Sequence, residues 1–163
     1  MKIKIIIGAF LLSLFTPTVA DDQPIFDSEE HQCLAVAIYK EAGGESIHGK
    51  IAVGNVILNR VAEPNFPDTV CGVVKQRTKY ACQFSWFCKV PVERVHIKNH
   101  LVIEISRELL QNKHRDNTFG SLFFHNRSSE GWQGGLVKTT EIGNHIFYKK
   151  RGRNANRTRS SNP

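Results

Sequence analysis

Glu41 and Glu45 flank a pair of glycines in the stretch Tyr39-Lys40-Glu41-Ala42-Gly43-Gly44-Glu45, one carboxylate on each side of a break in a well-patterned helix. Two carboxylates at such a break are the raw material of acid-base catalysis. Leu34, Ala37 and Ile38 mark the apolar stripe of the preceding helix, and the spacing i, i+3, i+4, i+7 from Leu34 lands on Glu41. The helix therefore aims a carboxylate where a hydrophobe is expected, in its last turn. Burial there favours the protonated form, and a neutral carboxylic acid at working pH is what protonation of a leaving group requires. The competing reading is a solvent-facing glutamate at a frayed helix end. Glu45 stands four residues on, but the glycines remove the simple i, i+4 facing relation, so it reads either as catalytic support or as a cap for the next helix.

Other constellations are weaker. Among seven histidines there is no His-Glu-x-x-His pair; His31, His96, His100 and His114 read as helix-surface residues, whereas His125 and His145 lie in aromatic, strand-like runs and are candidates to line a cleft. Phe84, Trp86, Phe124, Trp132 and Tyr148 are candidates to stack on sugar faces, with the hydrophobic core as the alternative use of each. No serine nucleophile elbow and no phosphate-cradling loop is present. The even set of four cysteines, Cys33, Cys71, Cys82 and Cys88, reads as disulfides rather than as nucleophiles or zinc ligands, with three pairings open. No metal and no cofactor is expected.

The elements that must position these residues follow from periodicity. Asp27 with Glu30 three residues on reads as a capping box for the first helix. Ser46 to Val61 reads as a second, central helix in which Gly54 marks close packing against a neighbour, ended by Glu63-Pro64. Thr69 to Lys75 reads as a short capped helix, Tyr80 to Cys88 as a shaped aromatic loop, and Pro91 to about Lys113 as a third long helix. Ser121 to His125 and Asn144 to Tyr148 read as strands separated by a Gly-rich segment containing Trp132. Helices with a small sheet give the class α+β.

Residues 1–20 carry Lys2 and Lys4, then an apolar run from Ile5 to Phe15, then Thr18-Val19-Ala20, the pattern of a secretory signal with Asp21 as the new N-terminus. The run is shorter than the ~20 apolar residues a spanning helix needs, so export without membrane insertion is expected. The formal charge of +7 becomes +5 once Lys2 and Lys4 are removed. Residues 149–163 hold much of the remaining excess and read as a disordered basic tail, either merely solvated or holding an anionic polymer; for an exported chain that means a wall or membrane surface rather than nucleic acid. Residues 21–148 are left as one compact domain, expected to act as a monomer.

Several ordered motifs together resemble the SleB/CwlJ-type cell-wall hydrolases. They are Leu34 to Glu45, Gly49 to Val61, Phe66-Pro67-Asp68-Thr69-Val70, Gln83-Phe84-Ser85, Leu122-Phe123-Phe124-His125-Asn126, Trp132, and Ile142 to Tyr148. The resemblance implies a lysozyme-like α+β domain, related to lytic transglycosylases, that cuts peptidoglycan between N-acetylmuramic acid and N-acetylglucosamine. It implies Glu41 as the catalytic acid/base, with Gln83, Phe84, Ser85, Phe124, His125, Trp132 and His145 as substrate-binding candidates. A hydrolytic muramidase and a non-catalytic wall-binding module are the alternatives. Departures from the pattern are Gly43 where the family often has arginine, the four cysteines, and the lack of the usual separate wall-binding domain, for which the basic tail is the candidate substitute.

Overall fold

The computed structural model describes residues 26–129 and 135–152, and so leaves the signal-like segment, Trp132 and most of the tail outside the described residues. Four helices, α1 (Glu29–Ala42), α2 (Ile47–Ala62), α3 (Val70–Lys75) and α4 (His100–Leu110), precede three strands, β1 (Phe123–Asn126), β2 (Leu136–Ile142) and β3 (His145–Lys150). The class is α+β, as the sequence predicts.

Helix α1 is the centre of the helical layer. Residues Cys33 to Ile38 are all fully buried, because α2, α3 and α4 pack around it. Its cap is Ser28, which accepts from His31 N–H, and not the predicted Asp27–Glu30 box. Both predicted partners work at longer range. Asp27 holds Arg107 of α4 at 2.7 Å, while the Glu30 carboxylate accepts from Val70 and Cys71 N–H and so satisfies the exposed donors at the start of α3. His31 is buried rather than on the surface: Asp27 N–H donates to its Nδ1, which leaves Nε2–H to donate to the Ile103 carbonyl.

Helix α2, capped by Ser46, packs closely against α4 and α1 at Gly54, where an added Cβ would lie 2.4 Å from Leu109 Cδ1 of α4 and 3.1 Å from Ile38 Cδ1 of α1. The predicted long helix from Pro91 is divided. Pro91 opens a short 3₁₀ turn, Val92–Arg94; then Val95 and Ile97 are buried while His96 and Lys98 are exposed, and only at Asn99 is α4 capped. That period of two over β-branched residues favours extended chain.

The sheet is antiparallel in the order β1-β3-β2. Strand β2 is the element the sequence reading placed inside a Gly-rich connection. It meets β3 through the two-residue turn Gly143-Asn144, with Gly143 at φ 58°. Phe124, Ile142 and Phe147 pack this sheet onto Ala52 and Val56 of α2. Lys149 and Lys150 belong to β3, which corrects the expectation that the disordered tail starts at residue 149; residues 153–163 lie outside the described residues. Two disulfides, Cys33–Cys71 and Cys82–Cys88, tie α1 to α3 and close the aromatic loop. Among the described residues, no helix is long and apolar enough to cross a membrane.

Candidate active site

Glu41 projects from the last turn of α1 and is half-buried in the wall of a cleft of about 250 Å³, lined also by Arg60, Cys82, Gln83, Phe84, Ser85, Phe123 and Phe124. Four different elements meet there. The carboxyl comes from α1, the guanidinium from α2, the rim from the disulfide-closed loop and the floor from β1.

Burial raises the Glu41 pKa above the ordinary carboxylic-acid value, and two weaker effects oppose it. One is a hydrogen bond of 2.8 Å from Trp86 Nε1–H to Glu41 Oε1, which favours the anion. The other is the positive charge of Arg60. Trp86 sits in the 3₁₀ turn Ser85–Cys88, which the Cys82–Cys88 disulfide brackets, so the donor is held by a covalently closed loop.

Arg60 is a buried cation, only 3% exposed. Its Nε–H donates to the Leu122 carbonyl at 2.8 Å, whereas Nη1 has no hydrogen-bond partner. The guanidinium is instead surrounded by aromatic faces, with its carbon 5.4 Å from the Phe66 ring centre, 5.5 Å from Phe84 and 6.0 Å from Phe123. Burial lowers its pKa to about 10, with the charge of Glu41 pulling the other way, so it remains a cation at neutral pH. The sequence reading did not single out Arg60, although Val53, Val56, Ile57 and Arg60 repeat on α2 the stripe spacing that marks Glu41 on α1.

Glu45 is directed elsewhere. Its carboxylate accepts from Asn144 N–H at 3.2 Å and from Asn144 Nδ2 at 3.0 Å, pinning the β2–β3 turn to the start of α2, and it is not among the residues lining the cleft. Two glycines make room for it: a Cβ on Gly143 would fall 1.9 Å from Glu45 Oε2, and one on Gly49 would fall 2.8 Å from Glu45 Cβ.

Of the remaining candidates, Gln83, Phe84, Ser85 and Phe124 line the cleft with Glu41. Phe84 is only 3% exposed, and so supports the guanidinium from the core side rather than offering an open face. His125 and His145 do not line it. His125 stacks on Tyr148 with ring centres 5.3 Å apart and shares a hydrogen bond with its hydroxyl. His145 is buried edge-on to Phe124, its pKa lowered chiefly by burial and raised in part by the nearby Glu45. Trp132 lies outside the described residues. Glu29, Cys33 and Cys71 bring a carboxylate and two sulfurs within 4.8 Å, but the two sulfurs are bonded to each other and so are not thiolate ligands.

Comparison with known proteins supplies the family context. The cell wall hydrolase family model matches residues 44–148, a span that contains Glu45 and begins just after Glu41. The chain is 30% identical over 138 residues to a spore cortex-lytic enzyme of Oceanobacillus iheyensis, covering 82% of this chain and 46% of that one. It is 29% identical over 126 residues to the spore cortex-lytic enzyme of Bacillus subtilis, covering 75% of this chain and 38% of that one. The chain thus spans less than half the length of these relatives. The catalytic domain of the Bacillus cereus SleB protein superposes with a TM-score of 0.63 at 28% identity, covering 78% of this chain and 95% of that domain. The catalytic domain of the germination-specific lytic transglycosylase SleB from Bacillus anthracis gives 0.61 at 28% identity, covering 77% and 99%.

Proposed function

We propose, from the premise that the chain belongs to the cell wall hydrolase family, that it cuts peptidoglycan glycan strands between N-acetylmuramic acid and N-acetylglucosamine outside the cytoplasm, as a lytic transglycosylase with Glu41 as its one proton carrier. The observation that carries this reading is that, among the described residues, Glu41 is the one carboxylate lining the cleft, with Glu45 engaged at the hairpin. Glycosidases that hydrolyse through two carboxyl groups hold them ~5–5.5 Å apart for retention or ~6.5–9.5 Å apart for inversion. A single carboxyl group instead suits a reaction in which the substrate supplies its own nucleophile.

In that reaction, protonated Glu41 donates to the glycosidic oxygen as the bond from muramic C1 breaks, and the bonding pair leaves with the N-acetylglucosamine 4-oxygen. Positive charge develops at C1. The muramic 6-oxygen attacks C1, and its proton passes to the Glu41 carboxylate, which restores the acid and leaves a 1,6-anhydro sugar. The two steps make opposite demands on one group. Burial favours the protonated form for the first; Trp86 Nε1–H and the Arg60 charge favour the carboxylate for the second.

The test is Glu41→Gln, which keeps the shape of the side chain and removes the proton. Turbidity clearing of purified cell walls should fall by at least about a thousandfold, equivalent to ~4 kcal/mol of transition-state stabilisation, with the circular dichroism melt unchanged. Undiminished clearing by the folded variant contradicts the assignment, as does clearing by neither protein. Activity is expected to persist in chelator, which separates this reading from a zinc amidase or peptidase.

A further inference from the structure

We infer that the cleft continues into a second, basic groove that holds the carboxylates of the peptide substituents along the same glycan strand, with Phe119 as a sugar-stacking post at its edge. This inference rests on the glycan-cleaving function proposed above.

The groove, about 410 Å³, is lined by Glu63, Asn65, Gly120, Leu122, Lys149, Lys150, Arg151 and Gly152. Its cations are fixed in place. Lys149 and Lys150 are the last residues of β3, and Arg151 N–H extends the pairing by donating to the Gly135 carbonyl at 3.0 Å. All three side chains are exposed, and among the described residues none is paired with a carboxylate; Glu63, the one acidic residue in the lining, is engaged by Asn65 Nδ2 at 2.9 Å. Three cations against one occupied carboxylate make a site for anions.

The groove and the cleft have no lining residue in common, but their residues are neighbours. Leu122 lines the groove while its carbonyl receives the Arg60 hydrogen bond, and the Phe66 ring lies 5.4 Å from the Arg60 guanidinium and 5.9 Å from Lys150 Nζ. A polymer leaving the cleft on this side therefore meets the lysines.

Phe119 adds an observation of a different kind. It is 66% exposed and adopts φ 59°, a left-handed backbone that a bulky residue rarely takes. The loop over-determines that conformation. The Asp116 carboxylate accepts from Thr118 N–H, from the Thr118 hydroxyl, from Gly120 N–H and from Asn59 Nδ2, and Asn55 grips Arg115 and Asn117 from α2. Lys149 Nζ donates to the Phe119 carbonyl at 3.5 Å, which ties the Phe119 backbone to one of the groove's cations. A fold that holds an aromatic ring out in water in a disfavoured conformation gives it a flat apolar face suited to a pyranose ring.

The test measures binding by the non-cutting Glu41→Gln protein to two polymers: the peptide-bearing glycan of purified sacculi, and the glycan strands left when an amidase removes the stem peptides, which keep only the lactyl carboxylate beside each muramic ring. The native groove should bind the peptide-bearing strands about tenfold more tightly, and the preference should vanish at high salt. Lys149→Gln/Lys150→Gln/Arg151→Gln should bring the two affinities within about twofold. Phe119→Asn, which tolerates the left-handed backbone, should weaken binding to both polymers alike. A tenfold preference that survives the triple substitution overturns the inference. Equal binding of both polymers by the native groove sinks the groove alone, whereas binding of neither sinks the glycan-cleaving function.

Discussion

Glu41 is poised between two protonation states by contributions of opposite sign, and each comes from a residue that can be changed separately. Burial favours the acid; the Trp86 indole N–H and the Arg60 guanidinium favour the anion. In the proposed reaction donation to the glycosidic oxygen requires the acid, so activity on the alkaline side should fall as Glu41 ionises, and the raised pKa should place that limb above the ordinary carboxylic-acid value. Trp86→Phe removes one group that stabilises the anion and should move the alkaline limb to still higher pH. Arg60→Met should move it the same way, while Arg60→Lys, which keeps the charge, should largely hold it in place. A hydrogen bond to a charged group contributes ~1.5–3 kcal/mol, so kcat at the optimum should fall about tenfold in Trp86→Phe because the carboxylate formed in the first step is less stable. A pH profile of kcat checks both variants; a limb that moves to lower pH in either contradicts these roles. Glu41 was legible in the sequence because a charged residue interrupted an apolar stripe. Arg60 carried the same signal with the opposite charge, and only the packing of α1 against α2 turns the two interruptions into one site.

At the scale of elements, most helices follow from their caps and stripes, and the departures have physical causes. Ser28 displaces Asp27 as cap because Asp27 is engaged by Arg107, a residue eighty positions away that no local pattern reveals. The Pro91 segment turns extended where Val95 and Ile97 alternate with His96 and Lys98. Strand β2 was hidden because neither of its faces is consistently apolar; its partner β3 and the Glu45 clamp on the turn fix it. Glu45 illustrates the same limit, since its acceptors' partner, Asn144, lies ninety-nine residues on. The two disulfides divide the labour. Cys33–Cys71 joins residues 38 apart and anchors α3 to the central helix, whereas Cys82–Cys88 joins residues 6 apart and holds the loop that carries Trp86. Chain-entropy arguments give ~4 kcal/mol for the longer closure and ~2 kcal/mol for the shorter. Cys33→Ala/Cys71→Ala should therefore lower the melting temperature more, while Cys82→Ala/Cys88→Ala should cost more activity per unit of stability lost. Equal loss of activity at matched stability would show that the loop does not serve the site.

At the scale of the molecule, a central helix brings the Glu41 carboxyl to the cleft, a second helix packed against it brings a buried cation, and a three-stranded sheet packed on that second helix lines the other side. The α+β class and the order of the helices were readable from periodicity, and the ordered motifs carried the family resemblance. The resemblance grouped Glu41 with Gln83, Phe84, Ser85 and Phe124; what lay beyond reach was Arg60 of α2 beside them, and His125 and His145 turning away, because both depend on crossings between segments distant in sequence. In the proposed reaction one carboxyl group carries a proton out to the leaving sugar and back from the muramic 6-hydroxyl. Mass spectrometry of whole peptidoglycan digested by the native protein and by Glu41→Gln in parallel tests that most directly. The expected result is 1,6-anhydromuropeptides from the native protein and no cleavage products from the variant; reducing muramic ends without anhydro products would contradict it.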